Sequence, residues 1–221
     1  MMFKLTSSAV SVVALLGSID ISSSFSLFHH HHSMSSISSS TTLLSSSRNR
    51  EIVPPTVDKE ANDKLLDLYN YQITREFAAS QLYLSASIWC DERELVGMAS
   101  YMLNESNEER THGLSLIDFA SKRNIDIKLE PIPAPTSNWD NVEELWKDML
   151  VAEEENTQAL LNLADAAQSC HDYAILAFLQ PFHIEQLDSE SNLKTIIAKV
   201  KDENETPGLL RQLDYELGNS K

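Results

Sequence analysis

The chain has 221 residues, 42% of them apolar, and 33 acids against 17 bases give it a net charge of −16. That balance argues against nucleic acid as a partner and suits a protein that attracts cations, although ordinary solubility accounts for it equally well. Two cysteines are too few for a disulfide framework, so Cys90 and Cys170 read as small buried apolar groups.

The first 50 residues read as a targeting leader, with the remaining domain at 51–221. Residues 9–17 form an apolar run behind Lys4, too short to cross a bilayer, which takes ~20 residues, but suited to the core of a signal peptide. A stretch rich in Ser and Thr follows from Ser22 to Ser47, free of acids and ending in Arg48 and Arg50, which is transit-peptide composition. A signal followed by a transit-like stretch resembles the two-part plastid presequences of diatoms and related algae, with Ser24-Phe25 as the cleavage point. The expected location is therefore the chloroplast or plastid, with the secretory pathway as the alternative. His29 to His32 form a run able to bind metal weakly, but it reads as an incidental part of the leader. No membrane contact is expected of the mature chain.

Helical patterning begins near Asp58 and runs to about Cys90, with a stripe Leu65, Tyr69, Gln72, Glu76, Ala79, Tyr83, Ala86, Cys90 at spacings of four and three, the pattern of a bundle-facing seam. A second helix is predicted from about Leu95 to Arg123, with the stripe Met98, Met102, Glu105, Glu109, His112, Leu116, Phe119. The short link Asp91-Glu92-Arg93 makes the two antiparallel neighbours. Residues 124–140 carry Pro131, Pro133 and Pro135 and are extended. Seventeen residues reach about 56 Å against about 45 Å for the second helix, so this segment can run the length of a bundle. Asn141 with Glu144 reads as an N-cap and its capping box. The third helix spans about Val142 to Ser169, with the stripe Trp146, Leu150, Glu153, Thr157, Leu160, Ala164. After a break at Cys170-His171-Asp172 comes a fourth, with the stripe Ile175, Leu179, Phe182, Gln186, Ser189, Leu193, Ile196, Val200 and an expected kink at Pro181. Thr206-Pro207 is a cap-plus-first-residue pair for a short fifth helix, Gly208 to Leu217. Two antiparallel pairs joined by one long crossover is the connectivity of ferritin-like bundles.

Each stripe is apolar except near its middle, and the midpoints of packed helices share a level whichever way each helix runs. Glu76, Glu109, His112, Glu153 and Gln186 therefore meet in one layer, with Glu105 about one turn away. Buried unpaired carboxylates are costly, and several around one point cannot all stay ionised without a cation. Carboxylates with an imidazole suit iron or manganese. Singly, each residue has a plainer reading. Glu109-x-x-His112 is short and common by chance, Glu76 alone suits a solvated helix face, Tyr83 suits a core aromatic with a bonded hydroxyl, and Gln186 suits a partner for a neighbour. The coincidence of four interruptions at one level is what points to a metal.

Glu76 to Tyr83 (Glu-Phe-Ala-Ala-Ser-Gln-Leu-Tyr), Glu108-Glu109-Arg110-Thr111-His112, Glu153 and Glu185-Gln186 resemble the ferroxidase motifs of ferritins. The likeness covers nearly all of residues 58–218, including the ending from Thr206 to Asp214, and is nearest to diatom ferritins. It implies an all-α fold, a ferritin-like four-helix bundle with one long crossover and a short fifth helix. It also implies a homo-oligomeric cage of two dozen subunits that oxidises ferrous iron with dioxygen or hydrogen peroxide and stores a ferric oxyhydroxide mineral. By position, Glu76, Glu109 and His112 would hold a first iron, Glu109 would bridge, and Glu153 would complete a second. Gln186 would contact the second iron or its bound water or oxygen species, and Tyr83 would lie just outside as a hydrogen-bonding and electron-donating group.

Three departures qualify the resemblance. The fourth helix has Glu185-Gln186-Leu187-Asp188, not a second Glu-x-x-His, which favours the ferritin type with an asymmetric second iron site over bacterioferritins, rubrerythrins and ribonucleotide reductase subunits. Glu105 matches one ligand of a third iron site, but Ser189 stands where another carboxylate is expected, with Asp188 and Glu190 beside it. Leu176 and Leu179 fall where animal ferritins carry the acids of a threefold channel, so that access route does not carry over. The competing readings are a di-iron enzyme acting on an organic substrate, which needs a substrate pocket and usually a symmetric ligand set, and a non-catalytic cage subunit, which would lose the ligands.

Overall fold

The computed structural model describes residues 58–203 and 208–219; the expected leader, the run His29 to His32 and the Thr206-Pro207 pair lie outside them. The described residues form five helices and no strand: α1 Lys59–Asp91, α2 Val96–Arg123, α3 Val142–Ser169, α4 Tyr173–Glu203 and α5 Leu209–Asn219. This is the all-α, four-helix bundle with a long crossover and a short fifth helix that the periodicity predicts. Among the described residues no helix is long and apolar enough to cross a membrane.

Local chemistry sets the boundaries. The Asp58 side chain accepts from Glu60 N–H at the start of α1. At α3, Asn141 Oδ1 accepts from Glu144 N–H at 2.9 Å, while the Glu144 carboxylate reaches back one residue further than a standard capping box, to Asp140 N–H at 2.7 Å. Glu94, Asn124 and His171 take left-handed conformations at the three helix ends, with φ of 58°, 54° and 56°. α4 continues without interruption through Pro181.

α1 and α2 run antiparallel. Tyr69 bonds to Leu116 O, Ser80 to Ser106 O and Ser87 to Ala99 O, so position rises along one helix as it falls along the other. The crossover is pinned near both ends: Asn70 donates to Asp126 O and accepts from Lys128 N–H, and buried Trp139 stands edge-on to Trp89 while its Nε1–H meets Asp148. The N-terminus of α2 has no side-chain cap of its own. Asp214 of α5 supplies one, accepting from Met98 N–H at 2.8 Å.

Two apolar cores flank the middle of the bundle. One gathers Trp89, Met98, Met102, Trp146 and Leu193 with Leu213 and Leu217 of α5; the other gathers Leu65, Ile73, Leu116, Leu163, Ile175 and Leu179. Each such side chain contributes about 1.5–3 kcal/mol on burial, which offsets the cost of a polar layer between them. The stripes of α1 and α4 face inward as predicted, except that Ser189 is only partly buried. On α3 the seam is turned by about one residue. Met149, Asn156 and Leu163 are buried where Leu150, Thr157 and Ala164 were expected and are only partly so. Both series obey spacings of three and four, and the polar Asn156 and Thr157 do not distinguish them. Leu179 is fully buried in the core, so it cannot line a channel between subunits.

Candidate metal centre

Glu76 sits midway along α1, and Glu109 and His112 lie one turn apart on α2. Glu76 and Glu109 are buried, while the His112 side chain keeps 23% of its surface. The His112 Nδ1 atom lies 3.9 Å from Glu76 Oε2 and 3.7 Å from Glu109 Oε2. One donor atom from each of the three falls within 4.8 Å of the others. The other ring nitrogen, Nε2, is 3.2 Å from Glu185 Oε2 on α4, and the ring packs on Phe182 at 5.3 Å. Nδ1 therefore faces the carboxylates while Glu185 holds the far side of the imidazole, the arrangement typical of a metal-ligating histidine.

Glu153 on α3 is buried beside this cluster but tied to other partners. Its Oε1 accepts from the Tyr83 hydroxyl at 2.5 Å, its Oε2 accepts from the Gln186 amide, and the same amide donates to the Glu153 carbonyl at 3.0 Å. The structure thus brings together Glu76, Glu109 and His112 as one group and Glu153, Tyr83 and Gln186 as a second. Glu105 is partly buried, hydrogen-bonded to Tyr101 and within electrostatic reach of Glu153 and Glu108.

The electrostatics follow from crowding carboxylates in a low-dielectric layer. Burial and then the Glu109 charge hold Glu76 well above the ordinary carboxyl range. Burial raises Glu109 too, against its hydrogen bond with Glu76, with the charges of Glu153 and Glu105 adding to the rise. Burial raises Glu153 in spite of the bonds from Tyr83 and Gln186. Burial and the neighbouring Glu108 and Glu153 push Glu105 up to about 7. The Glu109 Oε2 atom is buried and has no hydrogen-bond partner. A buried acceptor without a donor costs about 1–3 kcal/mol, and a cation at the Glu76–Glu109–His112 focus would satisfy it. Oxygen and imidazole donors of this kind fit iron.

Two buried residues beside Glu76 went unassigned in the sequence. Gln72 was visible as a polar member of the α1 stripe, but nothing gave it a partner. Asn156 was hidden by the turned seam of α3.

A family model for the ferritin-like domain matches residues 66–202. Among curated relatives, the bacterial non-heme ferritin of Staphylococcus haemolyticus is 33% identical over 133 residues, 60% of this chain and 80% of its own. That of Staphylococcus aureus strain USA300 is 29% identical over 154 residues, 70% of this chain and 93% of its own. Among solved structures, the apo-ferritin of Pseudo-nitzschia multiseries is 56% identical with a TM-score of 0.68, covering 70% of this chain and 98% of that one. Crystals of a PmFTN variant soaked in iron give 55% identity and a TM-score of 0.67, over 69% of this chain and 98% of that one.

Proposed function

The chain belongs to the ferritin family, and we propose that it oxidises Fe(II) at a two-iron centre within each subunit and stores the ferric product as an oxyhydroxide mineral inside a homo-oligomeric cage. The observation that carries this reading is the buried Glu109 Oε2 atom, which has no hydrogen-bond partner, at the focus of Glu76 and His112. Glu76, Glu109 and His112 would hold one Fe(II). Glu153, steadied by Tyr83 and Gln186, would hold the other with Glu109 between them. Two Fe(II) ions each give one electron to dioxygen, and with two protons the oxidant leaves as hydrogen peroxide. Carboxylates favour the ferric product because three negative charges stabilise the higher metal charge in a layer where screening is weak. Similarity to iron-soaked ferritin crystals supports iron as the metal.

Glu105, beside Tyr101 and one turn from Glu109, supports a weaker third metal position, with Ser189 in place of a carboxylate on α4. The composition of residues 1–50 supports delivery to a plastid, with secretion as the alternative. The test is to express the chain from residue 51, measure its size, and give it Fe(II) under an oxygen electrode. Two dozen copies would elute on the order of several hundred kilodaltons and consume oxygen. A small monomer that leaves Fe(II) unoxidised would sink the proposal.

A further inference from the structure

The Glu76 carboxylate is divided between two neighbours. Its Oε2 faces His112 Nδ1 and the cluster. Its Oε1 accepts a hydrogen bond of 2.7 Å from the Gln72 amide, one turn earlier on α1. The same amide nitrogen donates at 2.7 Å to Asn156 Oδ1 on α3. Gln72 is fully buried and Asn156 is 2% exposed. Both partner atoms are oxygens, which sets the amide nitrogen toward them. Asn156 Nδ2 approaches Glu76 Oε2 at 3.5 Å, the outer limit of a hydrogen bond, so Oε2 stays open to a cation. The Gln72 Oε1 atom is left buried with no partner.

A core assembled for stability alone would place an apolar side chain at each of these positions, since buried amides must be desolvated. Gln72 gains one good bond to Glu76 and one to Asn156 while leaving an acceptor unsatisfied. A lysine or arginine would also orient Glu76, but it would neutralise the carboxylate and compete with a metal. A neutral amide fixes the rotamer and leaves the charge in place. We infer that Gln72, backed by Asn156, is a positioning residue that holds Glu76 Oε1 so that the carboxylate presents Oε2 to the cation. Without the clamp, the Glu76 side chain would lose its fixed orientation, and the centre would bind metal more weakly and with a less defined geometry.

The inference rests on reading Glu76, Glu109 and His112 as a metal centre, and one experiment separates the two. The assembled protein is titrated anaerobically with Co(II), following the visible absorption of the bound ion, with Glu76→Ala marking which transition belongs to this site. Q72L is expected to lose about 10–100-fold in affinity there, the usual cost of removing an outer partner of a metal ligand, and to shift or broaden the band. N156V, which keeps the Gln72–Glu76 bond but removes its support, is expected to lose several-fold. A purely structural role would lower the melting temperature while leaving affinity and band unchanged. Q72L affinity within about twofold of the parent, with the same band, overturns the clamp. If Q72L does not assemble, an unchanged N156V overturns it instead. A parent protein that binds no Co(II) sinks the metal centre itself.

Discussion

Tyr83 on α1 donates its hydroxyl to Glu153 Oε1 on α3 at 2.5 Å, with both residues buried. Burial and then the Glu153 charge hold the Tyr83 hydroxyl well above the ordinary phenol range, so it remains a donor throughout the physiological range. The bond does for Glu153 what the Gln72 amide does for Glu76: one carboxylate oxygen is held by a neutral donor. Tyr83→Phe removes that donor and leaves only the Gln186 amide on the carboxylate. A hydrogen bond to a carboxylate in a buried site is worth about 1.5–3 kcal/mol. The expected result is a lower melting temperature and an initial Fe(II) oxidation rate reduced about tenfold, measured by stopped-flow absorbance. An unchanged rate would place Glu153 outside the reacting centre.

The metal-free protein should lose stability as pH rises from mildly acidic to neutral. Glu76, Glu105 and Glu109 hold their protons to higher pH in the folded chain than in the unfolded one. Their contribution is therefore complete below the ordinary carboxyl value of 4.5 and is lost as pH climbs through the raised values. For Glu105 that window runs from 4.5 to about 7. The Glu105 shift alone corresponds to about 3 kcal/mol across its window. Asp172 acts the other way. Its ion pair with Arg123, at 2.8 Å, lowers its carboxyl, so that contribution is present above its ordinary 3.8 and fades as pH falls through the lowered value. Melting temperatures of metal-free protein between pH 5 and 8 should fall, and saturating Zn(II) should flatten the curve. A melting temperature that rises toward pH 8 without metal would contradict the crowded, protonated layer.

Most of this architecture was legible because it follows from one period. The stripe of α1 from Leu65 to Cys90 and that of α4 from Ile175 to Val200 are written in spacings of three and four, and burial follows them almost residue by residue. The level of the site was legible for the same reason, since a glutamate in an apolar stripe has a clear cost. What escaped the sequence was lateral. A one-residue turn of α3 leaves the spacing intact, so Asn156 fell outside the predicted stripe. The Asp214–Met98 cap joins residues 116 apart, and no local pattern announces it. The grouping within the polar layer depends on side-chain directions. A common level alone does not show that Glu153 turns to Tyr83 and Gln186 while Glu76 and Glu109 turn to His112.

The docking of α5 can be tested without touching the metal centre. A side chain on Gly97 would collide with the backbone carbonyl of Asp214, and Gly218 lies against the same turn of α2. Gly97→Val therefore forces α5 off α2, at about 1–3 kcal/mol for overpacking. Asp214→Ala removes the only side-chain cap on Met98 N–H among the described residues, at about 1 kcal/mol. Both variants should melt lower than the parent, Gly97→Val the more so. Their initial Fe(II) oxidation rates should stay close to the parent's, because Glu109 and His112 lie further along α2. Loss of oxidation in a variant that still assembles would show that α5 sets the geometry of the centre.

The carboxylates of the centre should show a trade of stability against activity. In metal-free protein, burial and the neighbouring Glu109 raise the proton affinity of Glu76, burial raises that of Glu109 against its hydrogen bond with Glu76, and Glu109 Oε2 has no donor. Glu109→Gln keeps the shape, supplies an N–H and removes one carboxyl from the layer. It should raise the melting temperature of metal-free protein at pH 8, where the parent must either ionise Glu109 or hold its proton against solvent. The same change removes the oxygen that would join the two metals, so the fast phase of Fe(II) oxidation should fall at least about tenfold. Glu76→Ala and Glu109→Ala should also lose the fast phase, but with lower melting temperatures, because each leaves a cavity. Comparing the amide and alanine series at each position separates charge from packing. Faster melting in Glu109→Gln than in the parent at pH 8 would mean that the parent layer is already balanced without a cation. Fast phases intact in both alanine variants would move the centre away from Glu76, Glu109 and His112.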